Sequence, residues 1–213
     1  MRLYDYFRSS AAYRVRIALN LKGLAPAREF IHLRRDVQRG ESYLAVNPQG
    51  LVPVLETDDG TMLTQSLAII AYLDETHPAP PLLPATPVER ARVRGIALEI
   101  ACDIPPLNNL RVLQYLKNTL GTSDDQKDGW YRYWIDLGFE ALEARLARDP
   151  ATGCFCHGDA PTLADICLVP QLANARRMNI DVAPYPTLVR IEAAANALPA
   201  FADAAPAKQP DAD

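Results

Sequence analysis

Cysteine is absent from the first 101 residues of this 213-residue chain, which contains only four cysteines in all. Four cysteines in a chain of this length do not form the dense pattern of a small disulfide-stabilised protein. Because no thiol is present in the N-terminal part, thiolate chemistry there would require a sulfur atom brought by another molecule.

Long apolar runs are also missing, and no stretch approaches the roughly 20 residues that a membrane-spanning helix requires. The opening residues MRLYDYF do not resemble a signal peptide. The net charge is only −4, from 22 basic and 26 acidic residues that are interspersed, which argues against nucleic acid as the main partner. Since 49% of the residues are hydrophobic, we expect a globular cytoplasmic protein with a substantial core and no membrane partner.

Proline is concentrated in one place. The stretch HPAPPLLPATP, residues 77–87, contains five prolines, which do not fit inside a helix or a central strand. We therefore predict a domain at 1–80, a linker at 81–87, a second domain at 88–200 and a flexible tail at 201–213.

Residues 1–80 show the alternating pattern of an α/β domain. We predict strands in RLYDYF, AREFIHL, VPVLE and GTMLTQ, and helices over Ala12–Lys22, Glu41–Ala45 and SLAIIAYLDET. The turn TDDG between the last two strands favours a hairpin. The order βαβα–ββα predicts a small mixed sheet with helices packed on it.

Strand patterns disappear after the linker, so residues 88–200 are predicted to be all-helical. Pro105-Pro106 interrupts the first helical stretch, which resumes with LNNLRVLQYLKNTLG. Further helices are predicted over Asp128–Asp149, after Thr162 and over Pro186–Leu198. Thr162 and Asp165 form a variant of the capping box.

Two predicted helices begin at serines. Ser9 and Ser10 precede the first helix, and Gln65-Ser66 precede the third. A serine at such a position caps the helix, but the same helix end is also an anion site, and its dipole lowers the pKa of a thiol placed there. The residues themselves leave both readings open.

The Val52-Pro53 pair enters a predicted strand, where proline is unusual. A cis peptide bond would turn the Val52 backbone outward to pair with a peptide-like ligand. An ordinary edge strand is the alternative, and the motif alone favours neither.

Together, these features resemble the zeta class of the glutathione transferases. The motifs SSAAYRVRIAL, NPQGLVPVLE and QSLAIIAYLDE carry the resemblance, and DIPPLNNLRVL and PTLADICLVPQLANARR extend it to about Leu198. The resemblance implies a thioredoxin-like glutathione-binding domain, an all-helical C-terminal domain, glutathione as cofactor and a homodimer. Ala11 departs from the family pattern, which usually has cysteine after the two serines.

The resemblance also implies which residues bind glutathione. Gln65 and Ser66 would hold the γ-glutamyl end, and the cysteinyl backbone would pair with Val52 beside a cis Pro53. The other implied candidates are Gln38 and Gln49 for the glycyl end, Ser9, Ser10 and the Ala11 N–H for the sulfur, and Cys102, Asp103, Asn108 and Asn109 from the helical domain.

The activity implied by the resemblance is glutathione-dependent cis–trans isomerisation of maleylpyruvate to fumarylpyruvate, a step of gentisate breakdown. Ser9, Ser10, Arg8 and Arg176 are the catalytic candidates. Arg8 and Arg176, with Arg111 as a third choice, would hold the carboxylates of an anionic keto acid, because guanidinium groups bind carboxylates bidentately.

Three alternatives remain at this stage: isomerisation of maleylacetoacetate, transfer of glutathione to xenobiotics, and a non-catalytic binding protein. No metal site is predicted, because the stretch Cys154–His157 has no second Cys/His pair nearby.

Overall fold

The computed structural model describes residues 1–212, which divide into two compact units. The first unit contains Met1–Leu82 and also the end of the chain from Asn196 onward, and the second contains Leu83–Ala195. The division after Leu82 falls inside the proline-rich stretch 77–87.

A four-stranded mixed sheet forms the centre of the first unit, in the order β2-β1-β3-β4. The strands are β1 (Arg2–Asp5), β2 (Ala27–Phe30), β3 (Val54–Glu56) and β4 (Met62–Thr64). β1 is parallel to β2 and antiparallel to β3, and β3 and β4 form the predicted antiparallel hairpin. Leu3 lies opposite Leu55, and both are fully buried because β1 and β3 are the central strands.

Three helices of the first unit follow the predicted order. They are α1 (Ser10–Leu21), α2 (Glu41–Val46) and α3 (Ser66–Thr76). α1 and α3 pack on each other, and the core includes the fully buried side chains of Ile17, Ile69 and Leu73. Each such side chain contributes roughly 2 kcal/mol of hydrophobic stabilisation. The arrangement confirms the thioredoxin-like βαβα–ββα domain.

The C-terminal residues differ from the predicted flexible tail. A short helix, α10 (Pro199–Ala202), packs on α1 and buries Phe201 completely. The Arg16 Nε–H donates to the Ala204 carbonyl oxygen at 3.0 Å. The prediction of a flexible tail is wrong for residues 201–212, because Phe201 anchors the segment and its backbone oxygens satisfy buried donors of the sheet unit.

The second unit is all-helical, as predicted. Its helices are α4 (Pro87–Asp103), α5 (Pro105–Asn108), α6 (Leu110–Asn118), α7 (Asp124–Arg148), α8 (Leu163–Arg177) and α9 (Pro186–Asn196). The break at Pro105 separates α4 from α5. α7 begins four residues before the predicted Asp128, because Ser123 and Gln126 form a capping box there.

The predicted capping box at the start of α8 is confirmed. Thr162 Oγ1 accepts a hydrogen bond from the Ala164 N–H, and Asp165 Oδ2 accepts one from the Thr162 N–H at 2.8 Å. Asp165 is fully buried, and its Oδ1 also accepts from the Cys156 N–H at 2.8 Å. The box therefore fixes the preceding loop as well as the helix start.

Within residues 1–212, no helix combines the length and the apolar character that crossing a membrane requires.

Candidate active site

The first helix of the sheet unit begins at the pair of serines. Ser9 is the N-cap of α1, and its Oγ accepts a hydrogen bond from the Ala12 N–H at 3.2 Å. The first helical bond joins the Tyr13 N–H to the Ser9 carbonyl oxygen, so the N–H groups of Ser10 and Ala11 have no partner within the helix. The first turn of α1 contains no acidic residue, and this end of the helix therefore suits an anion.

Arg8 lies directly before this helix start. It is half-buried, and its guanidinium carbon lies 4.9 Å from the centre of the Phe7 ring. The Phe7 N–H donates to Asp211 Oδ2 at 3.0 Å, which ties the segment before Ser9 to the C-terminal residues. Both contacts restrict where Arg8 and Ser9 can lie.

The Val52–Pro53 peptide bond is cis and both residues precede β3, so this segment is not an ordinary edge strand. Val52 is buried in the same apolar cluster as Phe7, so the Ser9 segment and the Val52–Pro53 segment border one cluster. The β-ladder begins at Val54, and the Val52 backbone lies outside the paired residues of the sheet.

The loop before Val52 is held by its own side chains. The Tyr43 hydroxyl and Asn47 Nδ2 both donate to the Leu51 carbonyl oxygen, at 2.7 and 2.8 Å. Burial raises the pKa of Tyr43 well above its usual value, so this hydroxyl remains a neutral donor. Gly50 has a φ of +62°, and an added Cβ would lie 3.0 Å from the Gln38 carbonyl oxygen, so glycine is required there.

Gln38 and Gln49 occupy different environments. Gln38 is buried, and its Nε2 donates to the Leu33 carbonyl oxygen at 3.2 Å and to Asp36 Oδ1 at 3.3 Å. Gln49 is exposed, and its Oε1 accepts a hydrogen bond from Gln65 Nε2 at 3.4 Å. Gln49 is thus next to the start of α3, whereas the Gln38 amide nitrogen is occupied within its own turn.

The start of α3 has an unusual backbone. Gln65 has a φ of 68° and a ψ of 116°, a conformation that non-glycine residues rarely adopt and that is most often retained at functional sites. Ser66 begins the helix and is buried, and the first turn of α3 contains no acidic residue. This is a second helix end suited to an anion.

Sequence reasoning missed Arg14, which connects the two helix starts. Arg14 is a buried residue of α1, and its Nη1 lies 3.5 Å from Ser66 Oγ, at the outer limit of a hydrogen bond. In the motif YRVR, Arg14 and Arg16 look alike, and nothing in that local pattern distinguishes them.

The structure therefore groups most of the predicted site residues of the first unit. Shared contacts join the Ser9 segment, the Val52–Pro53 segment and the start of α3. These contacts are the apolar cluster with Phe7 and Val52, the bond from Gln65 to Gln49, and the approach of Arg14 to Ser66.

The predicted residues of the second unit include two with structural hydrogen bonds. Asn109 is the N-cap of α6, and its Oδ1 accepts from the Val112 N–H at 3.1 Å. Asn108 is buried and donates from Nδ2 to the Tyr131 carbonyl oxygen at 3.1 Å. Cys102 and Asp103 are exposed at the end of α4.

The two candidate arginines of the second unit, Arg111 and Arg176, differ in their exposure and in their partners. Arg111 is exposed on α6. Arg176, in the last turn of α8, has a side chain that is 49% exposed and is paired with Glu192 of α9. The Nη2–Oε2 distance is 2.6 Å, and hydrogen bonding to Glu192 raises the pKa of Arg176 above its ordinary value.

The loop at Cys154–His157 is joined to its surroundings by structural contacts. Arg92 Nη1 donates to the Cys156 carbonyl oxygen at 2.8 Å. Burial is the largest of the effects that raise the pKa of the Cys156 thiol well above its usual value, so it stays protonated. Among residues 1–212, no group of three or more His, Cys, Asp or Glu side chains is arranged to hold a metal ion.

A cavity of about 500 Å³ lies in the second unit and contains none of the predicted site residues. Its lining includes Asp136, Glu140, Glu143 and Asp181, which disfavour an anionic ligand. Burial and the neighbouring Asp136 raise the pKa of Tyr185 in this cavity to about 12.

The sheet unit can thus hold two anionic groups, one at each helix start. The donors at Ser9 and Ser10 suit a thiolate, and the start of α3 suits a carboxylate. The Val52 backbone is not paired in the sheet, so it is available to a peptide-like ligand.

Comparisons with known proteins show the family of this chain. Residues 8–76 match the glutathione S-transferase N-terminal domain, and residues 135–206 match the glutathione S-transferase C-terminal domain. A probable maleylacetoacetate isomerase from Vibrio cholerae is 53% identical over 212 residues, which cover 99% of this chain and 97% of the relative.

Two solved structures are also similar over the full length of both chains. A maleylpyruvate isomerase, described as a bacterial glutathione S-transferase of the zeta class, is 46% identical with a TM-score of 0.97. A maleylacetoacetate isomerase from Methylobacterium extorquens AM1, with bound malonate and glutathione, is 44% identical with a TM-score of 0.98. This chain belongs to the glutathione S-transferase family, and within that family to the zeta class.

Proposed function

We propose that this protein is a glutathione-dependent cis–trans isomerase that converts maleylpyruvate to fumarylpyruvate. One observation carries the proposal: the Ser9–Ser10 helix start suits a thiolate, yet the sheet unit contains no cysteine. The sulfur must therefore come from a bound thiol. Relatives named as maleylpyruvate and maleylacetoacetate isomerases support this reaction class.

The residues of the sheet unit fit glutathione. Glutathione has an α-carboxylate on its γ-glutamyl end, a thiol and a peptide backbone, and the sheet unit offers two helix starts for the two anionic groups and the unpaired Val52 backbone for the peptide. In this proposal Gln65 and Ser66 hold the γ-glutamyl end and Val52 pairs with the cysteinyl backbone. Gln49, next to Gln65, is the better placed of the two glycyl-end candidates, since the Gln38 amide nitrogen is already bonded.

Glutathione, when bound, supplies the thiolate that adds to the cis double bond and leaves again after rotation, so that no net proton or electron is transferred. Ser9 and Ser10 favour the ionised sulfur, because their hydroxyl protons and the free N–H groups of Ser10 and Ala11 can donate to it. The start of α1 contributes its positive dipole end to the same effect.

Arg8 is the nearest cation in sequence to this helix start, and we assign it to a substrate carboxylate or to the negative charge that develops on the keto oxygen. Arg176 is assigned to the other carboxylate. Glu192 holds the Nε and Nη2 edge of Arg176, which leaves Nη1 for the substrate. Arg111 remains the third choice.

The proposal also includes the oligomeric state and the cellular location of the enzyme. A homodimer and a cytoplasmic location are the properties that the family resemblance implies for this chain. Light scattering at micromolar concentration tests the dimer, for which a mass near twice 23.5 kDa is expected.

The function is tested by following the cis-enol absorbance of maleylpyruvate with purified protein. Rapid loss of absorbance with glutathione, and none without it, is expected. Maleylacetoacetate, tested in competition at limiting enzyme, identifies the preferred substrate. Formation of a stable glutathione conjugate without trans product would instead indicate a transferase, and binding of glutathione without turnover would indicate a non-catalytic protein.

A further inference from the structure

Arg14 is a buried cation whose side chain has no counter-charge among residues 1–212. Only 3% of the residue is exposed, and Nη1 lies 3.5 Å from Ser66 Oγ. Its Nε and Nη2 have no hydrogen-bond partner among residues 1–212, and no carboxylate of these residues forms an ion pair with it. A buried charge without such partners is costly, so its presence points to an anion that completes the site.

Arg16 provides the internal comparison, since it lies two residues later on the same helix and is equally buried. Its Nη1 donates to Asp5 Oδ1 at 2.8 Å, its Nε to the Ala204 carbonyl oxygen, and its Nη2 to the Phe7 carbonyl oxygen. Residues 1–212 thus provide partners for Nε, Nη1 and Nη2 of Arg16, but only one long contact, at Nη1, for Arg14. The difference cannot come from burial alone.

Arg14 lies next to the N-terminus of α3, which also favours a bound anion. Ser66 begins α3, an 11-residue helix whose N-terminus carries partial positive charge, and the first turn has no acidic residue. A cation beside a positive helix end is unfavourable unless a negative group binds both. The buried guanidinium and the helix end therefore point to the same ligand charge.

Arg14 also favours one orientation of the Ser66 hydroxyl. A guanidinium only donates hydrogen bonds, so in its 3.5 Å contact with Arg14 the Ser66 Oγ can only accept, and its own O–H is available to another acceptor. This makes Ser66 a donor toward the helix N-terminus. A carboxylate placed there would accept from the Ser66 hydroxyl and lie in the field of Arg14.

We propose that Arg14 is a positioning residue that makes this site selective for the α-carboxylate of the γ-glutamyl group, acting through Ser66 and through its charge. The inference rests on the proposed function, because it assumes that glutathione is the ligand. Arg14 contributes selectivity for that carboxylate and little to the recognition of the remaining tripeptide.

The test uses two ligands and calorimetric titration of the purified full-length chain. The ligands are glutathione and the analogue γ-aminobutyryl-cysteinyl-glycine, which lacks only the α-carboxylate. Replacing Arg14 with methionine should weaken glutathione binding by about tenfold or more and change analogue binding by less than about twofold. Arg14→Lys keeps the charge but not the fork, and should show an intermediate loss.

Thermal unfolding separates this role from a structural one. Without ligand, Arg14→Met should melt no lower than the unmodified protein, because an apolar side chain removes the buried charge. The rise in melting temperature caused by glutathione should shrink in the variant. In a Ser66→Ala background, the effect of Arg14→Met should be smaller, since the two residues act together.

The outcomes distinguish this inference from the proposed function. If the unmodified protein binds glutathione and both Arg14 variants bind it equally well, the inference is wrong and the function stands. Equal weakening of both ligands also overturns the inference, since it indicates a structural role. If the unmodified protein binds no glutathione at millimolar concentration, both proposals fail.

Discussion

Arg176 and Glu192 form a close ion pair between α8 and α9, with Nη2 2.6 Å from Oε2 and Nε 3.3 Å from both carboxylate oxygens. Glu192 is buried, whereas the Arg176 side chain is about half exposed. The pair therefore holds one edge of the guanidinium and leaves the other edge open toward solvent.

Arg176→Ala is expected to raise the KM for maleylpyruvate by about tenfold or more while the glutathione affinity changes less than about twofold. The reason is that one substrate carboxylate loses its partner and the cofactor loses none. Steady-state kinetics and glutathione titration measure the two effects. Arg177→Ala is the matched control, because Arg177 lies in the same turn and its Nη2 bonds to Asn174. Equal effects of the two substitutions would contradict the assignment.

Replacing Ser9 and replacing Ser10 should have different effects, on protein stability for Ser9 and on the thiol pKa of bound glutathione for Ser10. Ser9→Ala removes the cap of α1 and should lower the free energy of unfolding by about 1 kcal/mol. Ser10→Ala should leave stability nearly unchanged but raise the thiol pKa of bound glutathione by about one unit. Urea denaturation and the ultraviolet absorbance of the thiolate across pH check these outcomes. An unchanged thiol pKa in both variants would mean that the sulfur lies elsewhere.

The sequence predicts the helix starts because serines directly precede apolar periodic segments, and this pattern alone locates both Ser9 and Ser66. It cannot separate Arg14 from Arg16. Their partners, Ser66, Asp5 and Ala204, come from three separate parts of the chain, and only the fold brings them to α1.

The structure of the C-terminal segment could not be predicted from the sequence either, for a different reason. ADAAPAKQPDAD is polar and rich in small residues, which is typical of a flexible tail. Phe201, the large apolar residue directly before this stretch, and the backbone carbonyl oxygens of Phe201 and Ala204 hold the segment on the sheet unit. The composition of the segment does not reveal that buried donors of α1, on Tyr13 and Arg16, bond to its backbone carbonyl oxygens.

Removal of residues 206–213 should destabilise the protein and reduce kcat. Gln209 Oε1 accepts a hydrogen bond from Arg28 Nη1 at 2.8 Å, and Asp211 accepts from the Phe7 N–H, two residues before Ser9. Loss of these bonds should cost about 1–3 kcal/mol of unfolding free energy. Lys208→Ala, an exposed change in the same segment, should alter neither property. Full activity and unchanged stability of the truncated chain would contradict this role.

The two capping boxes at the starts of α4 and α8 should differ in their contribution to stability. Asp165→Ala leaves the buried N–H groups of Cys156 and Thr162 without their acceptors, and should lower the unfolding free energy by about 3 kcal/mol or more. Glu89→Ala removes the equivalent acid of the exposed box at Thr86, and should cost about 1 kcal/mol or less. Chemical denaturation compares the two, and equal losses would argue against burial as the cause.

The most direct test is NMR observation of maleylpyruvate turnover with glutathione at one-hundredth of the substrate concentration. Since the sheet unit has no thiol of its own, we predict complete conversion to fumarylpyruvate, recovery of all the glutathione unchanged, and no conversion when S-methylglutathione replaces it. Conversion at the same rate without any thiol, or consumption of glutathione in step with the substrate, would contradict a glutathione-dependent isomerase.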